Sequence, residues 1–420
     1  MTKLGNLFKG DKVIWIVYFF LCIISLVEVY SAGSQLAYKT GDFYRPLFTQ
    51  GAMLSLGMVV VFVFHRIPCN YFRVLTLLYP IILLALILVL VIGTKENDGS
   101  RWLPIGSFHF QPSEVAKGIL IITVSLMLAV SQRENGADGK IFNWIVGATA
   151  GVCIFILPEN FSTAGLVALV VLLMMFVGRV SIAKIGGLIG VLAVVGSLGV
   201  ALLLATPEDS AILGDDSPLH RAKTWKHRAE KFFVKEAYVP PEAYDIDKDA
   251  QVAHANIAIA SSNFVGKMPG NSEQRDFLSQ AFSDFIYAII IEETGLWGGA
   301  FVIMLYLVLL YRASQIAKRC KGSFPAFLIL GLSLMMAVQA FVNMSVAVGL
   351  LPVTGQTLPL ISRGGTSILC CSWFIGMMLS VSIYAQKCEL KRMQASGDSQ
   401  PETKNITEYD EPDATSEQAD

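Results

Sequence analysis

Residues 263–293, NFVGKMPGNSEQRDFLSQAFSDFIYAIIIEE, close a long polar segment and return the chain to apolar sequence with Asp284 at the boundary. A carboxylate placed there faces water and lipid together. Glu292 and Glu293 follow about 12 Å further along the same helix, at a rise of about 1.5 Å per residue. At that depth carboxylates are costly in hydrocarbon unless paired or functional. The two point to nearly opposite helix faces, so at most one shares a cavity with Asp284, and one is expected to pair with a neighbouring helix. The pattern points to chemistry on a lipid-borne substrate.

Around this stretch the chain is strongly apolar: 420 residues, 54% hydrophobic and 15% charged, with a mean hydropathy of +0.57. That composition excludes an ordinary soluble protein. Apolar runs long enough to cross about 30 Å of hydrocarbon as helices begin near Val13, Phe48, Val74, Val115, Ile141, Phe161, Ile185, Phe285, Phe324 and Ser367. The expected fold is therefore an all-α polytopic integral membrane protein of about ten transmembrane helices with one large extracytoplasmic loop. The first run follows a short basic leader without a small-residue cleavage site and reads as an uncleaved first helix.

Lys and Arg in the short loops set the orientation. Lys9, Lys12, Arg66, Arg133, Lys184, Arg312, Lys318 and Arg392 are among those on the side of the termini, whereas Lys39, Arg45, Lys95, Arg101 and Arg363 fall opposite. This asymmetry puts the termini in the cytoplasm. The expected organisation is a cytoplasmic N-terminus over 1–12, transmembrane helices over 13–205, the extracytoplasmic loop over 206–280, and further transmembrane helices over 281–386 with a re-entrant loop at 349–366. The tail, 387–420, is polar and expected to be disordered. A formal net charge of -1 gives no sign of a nucleic-acid partner. None of the seven cysteines lies in the large loop, so neither a disulfide framework nor a CxxC metal site is expected.

Several groups could carry the chemistry. Glu114 and Lys117, in SRWLPIGSFHFQPSEVAKGIL, stack at i and i+3 on one helix face. They read either as an interfacial ion pair or as a cation at the wall of a phosphate-receiving cavity, held by its acid. Trp102 reads as a site residue or as an aromatic-belt anchor. Asp284 is either the N-cap of the next span or a general base with a raised pKa that takes a proton from a sugar hydroxyl. His220, Arg221, Lys223, Lys226, His227 and Arg228 cluster around Trp225 and suit the phosphates of an anionic lipid, or form a solvated helix face. From Gln251 to Val265 small and apolar residues alternate with amides, as in a helix at the membrane surface. GLLPVTGQTLPLISRGGTS, Gly349 to Ser367, is apolar yet full of breakers, which implies an ordered re-entrant loop, since non-helical backbone at that depth must be buried in protein or line a cavity.

Three stretches, RWLPIGSFHFQPSEVAK, the 263–293 segment continuing into TG, and LLPVTGQTLPLISRGGTS, resemble in order and spacing the SEDS family of FtsW, RodA and SpoVE. The resemblance runs from the first span to the last, and the GQTLP run is most like the division branch, FtsW. It implies an inner-membrane peptidoglycan glycosyltransferase that polymerises lipid II outside the cytoplasm, releases undecaprenyl diphosphate with inversion, and works at the septum with a class B penicillin-binding protein and other division proteins. Carried over by position, Asp284 is the essential acid, and Trp102, Glu114 and Lys117 contact substrate. Arg221 and Arg228, and a divalent cation such as Mg or Mn, would help stabilise the leaving diphosphate. Arg363 adds a cation where the family usually has tyrosine. The family's Pro-Asp-Phe/Leu-Gly-Thr turn stands here as Glu159, Asn160, Phe161, Ser162 and Thr163, which leaves that tip without the family's acid. A lipid II flippase and a RodA-type elongation polymerase are the alternatives.

Overall fold

The computed structural model describes residues 8–33, 44–96, 99–105, 108–134, 136–206, 225–226, 250–278 and 281–395. Helix α1 (Lys12–Ala32) starts where the Asp11 carboxylate accepts from the backbone N–H groups of Val13 and Ile14, a standard use of Asp at an N-cap. Helix α2 (Arg45–Phe64) opens with Pro46 in its first turn. A 3-10 segment, Cys69–Leu78, runs into α3 (Tyr79–Ile92). Beyond α4 (Pro112–Ser131), α5 (Ile141–Ile156) and α6 (Phe161–Val177) form a tight hairpin in which the Asn160 side chain caps Thr163 N at 3.1 Å. Then follow α7 (Ile182–Ala205), α8 (Ala250–Ser261), α9 (Ile286–Arg319), α10 (Ser323–Ala347) and α11 (Gly365–Ala395).

Among the described residues, eight helical segments are long and apolar enough to cross a membrane, and α5 and α6 are shorter apolar helices. The centre is built from α4, α10 and α11, while α7 buries only Ile185. Small residues let the central helices touch, as packing between helices in lipid requires. A Cβ at Gly118 of α4 would meet the Trp373 ring of α11 at 2.5 Å, and one at Gly331 of α10 would meet Ile121 of α4 at 2.7 Å.

Three features differ from the sequence reading. Between α3 and α4 lies a small antiparallel sheet, β1 (Thr94–Glu96), β2 (Gly99–Ile105) and β3 (Phe108–Phe110), with Thr94 opposite Trp102 and Leu103 opposite Phe110. Helix α11 runs on to Ala395 instead of ending at Gln386, because KCELKRMQA is made of good helix formers and Glu389 pairs with Arg319 at 3.2 Å. Helix α8 packs on α9 and α10, burying Ala253, Ala255 and Ala258, instead of lying free on the membrane surface.

Candidate active site around the Asp284 turn

No helix forms between Val348 and Gly364, yet this stretch is enclosed: Gln356 and residues 358–362 are buried. Its backbone is satisfied by side chains from the surrounding helices, the condition for irregular backbone at membrane depth. Gln339 Nε2 donates to Thr357 O at 3.0 Å, Asn343 Nδ2 to Gln356 O at 2.7 Å, and Ser25 Oγ to Ile361 O at 2.8 Å. Tyr306 donates its hydroxyl proton to Pro359 O at 2.5 Å. Gln356 in turn reaches Thr163 Oγ1 at 2.7 Å, which ties the loop to the first turn of α6.

This loop and α10 clamp the turn that carries Asp284, residues 281–285. Ser362 Oγ donates to Ser283 O at 2.6 Å, Arg363 N to Phe282 O at 2.9 Å, and Asn343 Nδ2 to Asp284 O at 2.8 Å. The Asp284 carboxylate stays half-buried and accepts from Ser283 Oγ at 3.0 Å. The N-cap position of α9 is Phe285, which makes no side-chain cap. Donors from Asn343, Ser362 and Arg363 thus frame the backbone of this turn.

Glu114 and Lys117 form an ion pair at 2.7 Å on α4, with side chains 8% and 1% exposed. Lys117 Nζ also donates to Gln339 Oε1 at 2.8 Å. Gln339 and Asn343 are one turn apart on α10, so a continuous polar path links Lys117, through Gln339, to the loop that clamps Asp284. Glu114 and Lys117, expected to contact substrate, are placed on the polar path that reaches the Asp284 turn. Both are enclosed by protein, and Lys117 is spent on its acid and on Gln339. They hold the loop in place.

Trp102 is half-exposed on β2. Arg221 and Arg228 lie outside the described residues. From the same cluster, Lys226 is buried and donates to Thr206 O at 2.7 Å, while Trp225 packs on Phe161 at 5.8 Å between ring centroids. Arg363 sits 5.4 Å above the centroid of the Phe282 ring, next to the Asp284 turn. Burial, and then the charge of Arg45, push its guanidinium pKa below the ordinary value.

Neither Glu292 nor Glu293 joins Asp284. Glu292 accepts from Lys267 Nζ at 3.0 Å, Ser272 Oγ at 2.5 Å and Glu273 N at 3.1 Å, and Glu293 accepts from Ser31 Oγ of α1. Both anchor the 263–278 segment and α1 to the top of α9. Among the described residues no group of three or more His, Cys, Asp and Glu side chains is arranged to hold a metal ion.

Comparison with known proteins adds an independent line. A family model described as cell cycle protein, FTSW_RODA_SPOVE, matches residues 11–387. The chain is 30% identical over 390 residues to the probable peptidoglycan glycosyltransferase FtsW of Halomonas elongata, covering 90% of this chain and 91% of that protein. It is 29% identical over 386 residues to stage V sporulation protein E of Bacillus subtilis, covering 90% and 98%. Among solved structures, a chain from work on the structural coordination of polymerization and crosslinking by a peptidoglycan synthase complex superposes with a TM-score of 0.65 at 25% identity, over 89% of this chain and 97% of that one. The rod shape determining protein RodA of Thermus thermophilus superposes with a TM-score of 0.60 at 21% identity, over 90% and 98%, a likeness of fold.

Proposed function

The chain belongs to the FtsW/RodA/SpoVE family of cell cycle proteins, and from that premise we propose that it is a peptidoglycan glycosyltransferase polymerising lipid II at the outer face of the bacterial inner membrane. One observation carries the assignment of the chemistry. The Asp284 carboxylate is half-buried in a turn whose backbone is fixed from Asn343, Ser362 and Arg363.

In this reading the Asp284 carboxylate takes the proton from the 4-hydroxyl of the GlcNAc of one lipid II. The freed oxygen attacks the anomeric carbon of the lipid-linked growing chain. As the new glycosidic bond forms, the bond from that carbon to the diphosphate oxygen breaks, the electron pair leaves with undecaprenyl diphosphate, and the configuration inverts. Asp284 then loses its proton to water. Arg363 supports the negative charge on the leaving group, while Glu114, Lys117, Gln339 and Asn343 are positioning residues that hold the loop and the turn.

The finer assignment is septal synthesis beside a class B penicillin-binding protein. It is supported by the relatives named FtsW and by the solved synthase complex.

Gel-resolved polymerisation of labelled lipid II by the purified protein with its cognate class B penicillin-binding protein tests the reading. Long glycan chains are expected from wild type and none from Asp284→Ala at an unchanged unfolding temperature. Substantial chains from the variant would remove Asp284 as the base. No chains from either folded protein would direct attention to a lipid-flipping assay.

A further inference from the structure

We propose that Arg45 and Arg363 together form a binding site for the diphosphate of a polyprenyl-linked substrate beside the Asp284 turn, an inference that rests on the glycosyltransferase reading above. The two residues come from distant parts of the chain. Helices α2 and α11 run side by side in the same direction: a Cβ at Gly57 would meet Ser372 Oγ at 2.5 Å, and one at Gly376 would meet Phe64 Cβ at 2.8 Å. The first turn of α2 therefore comes level with the segment that precedes α11. A polar bridge fastens that level, with Gln50 Nε2 donating to Ser25 Oγ at 2.7 Å and Ser25 Oγ to Ile361 O at 2.8 Å. Arg45 precedes Gln50 by little more than one helical turn, and Arg363 lies just past Ile361.

Among the described residues these charges have no acidic partner. Neither guanidinium forms an ion pair with a described carboxylate. Arg45 is exposed at the start of a helix that has no acidic residue in its first turn and no side-chain cap, so its cation meets the positive end of the helix dipole. Arg363 is partly buried against Phe282 and feels the charge of Arg45. Two cations held together at a partly dry site are unfavourable until an anion lies between them. Guanidinium forks match phosphate oxygens in pairs, and a diphosphate supplies one phosphate for each. Phe48, 72% exposed on α2 close to Arg45, continues the site as apolar surface for a lipid tail. The anomeric carbon attacked in the reaction is bonded to that diphosphate, so a diphosphate site next to the Asp284 turn puts the reacting carbon near the base.

The experiment measures binding of undecaprenyl diphosphate to the purified full-length protein in detergent. It compares wild type with Arg45→Gln, Arg363→Gln and the corresponding lysine variants, and scores the same preparations for lipid II polymerisation. Each glutamine variant is expected to bind about tenfold more weakly, the scale of one charge-assisted contact, with partial recovery in the lysine variants and unchanged affinity for uncharged undecaprenol. If Arg363→Gln fails to fold, Arg363→Tyr, which installs the family's usual residue, serves the same comparison. Inorganic diphosphate is expected to compete more weakly than the lipid. Competition by phosphatidylglycerol vesicles equal to that of undecaprenyl diphosphate, or a preference for the free ion, would overturn the assignment. Unchanged affinity in the glutamine variants of a protein that polymerises lipid II would reject the site and leave the enzyme reading intact. Lost affinity in the variants of a protein that does not polymerise would keep the site and reject that reading.

Discussion

Asn343 on α10 donates its side-chain amide to the carbonyl oxygen of Asp284 at 2.8 Å. The same nitrogen reaches Gln356 O at 2.7 Å, so one buried amide joins the turn that carries the candidate base to the non-helical loop packed against it. Asn343 is fully enclosed, and its two acceptors come from backbone with no helical partner at that point. The backbone position of Asp284 thus depends on the buried side chain of Asn343.

Asn343→Ala removes both hydrogen bonds and leaves two buried carbonyls unmet, at a cost of about 1–3 kcal/mol in stability. Because the loss falls on the framing of Asp284, the polymerisation rate should drop by about tenfold or more, with about 1.4 kcal/mol per factor of ten. Apparent lipid II affinity should be nearly unchanged. Initial rates over a lipid II series, alongside thermal unfolding, separate the two effects. A rate equal to that of wild type would show that the turn holds its shape without α10.

Lys117 and Glu114 are expected to behave as a buried pair whose halves cannot be removed singly. Lys117→Met leaves Glu114 enclosed without its cation, a situation that costs about 3–5 kcal/mol. The double change Glu114→Leu with Lys117→Met removes both charges and should recover most of that stability. Activity should stay low in the double variant, since Gln339 loses the donor that fixes its Oε1 and with it the orientation of the amide that holds Thr357. Recovery of polymerisation together with stability would reduce the pair to a packing feature.

What the sequence carried, and what it did not, divides along physical lines. Hydrophobic run length sufficed for the spans, and the breakers in 349–367 sufficed for a buried non-helical loop, because both follow from the solvent. Asp284 stood out as a carboxylate at a polar–apolar boundary. Gln339, Asn343 and Gln356 were missed, although polar residues inside apolar segments are a signal worth following. Their roles depend on which backbone they meet across the bundle, and that is tertiary information. The sheet between α3 and α4 had a local sign in Asn97, Asp98 and Gly99, turn-forming residues, but the pairing of such short strands depends on what packs around them. The burial of Lys117 could not be read at all, since i, i+3 spacing fixes its partner and says nothing of what covers the pair.

Lys267 gives a prediction in pH. Its hydrogen bond to Glu292 is the main cause of a raised pKa, opposed by burial and supported by Glu273. A lysine whose folded pKa lies above the unfolded one contributes stability that is fully present below about pH 10.4 and is lost as pH rises through the higher folded value. Arginine stays charged across this range. The unfolding temperature of wild type should therefore fall relative to Lys267→Arg above roughly pH 10.4, with a constant difference at lower pH. A constant difference throughout would mean that the 263–278 segment is not held to α9 by this ammonium.

Gly295 is where that segment and α9 meet. Its backbone, at φ 73° and ψ −175°, breaks the helical pattern inside α9, and a Cβ there would lie 2.2 Å from Phe264 O. Facing it, Gly266 has a φ of 78°, and a Cβ there would lie 2.4 Å from Glu293 O. Two glycines thus let two backbones touch, and the contact carries Lys267 N to Glu292 O at 2.9 Å and Met268 N to Glu293 O at 2.7 Å. Neither the positive φ nor the approach tolerates a side chain. Gly295→Ala must either straighten α9 or push the 263–278 segment away, and each movement starts about three helical turns from Asp284. The expected outcome is a loss of about 2 kcal/mol or more in stability, the range for strain at a special backbone conformation. Amide exchange in 263–278 should rise before that of α10. Polymerisation should fall even at temperatures where the variant stays folded. An alanine variant with native exchange in 263–278 would show that the kink is not needed to seat this segment, and the link from α9 to the Asp284 turn would then run through α10 alone.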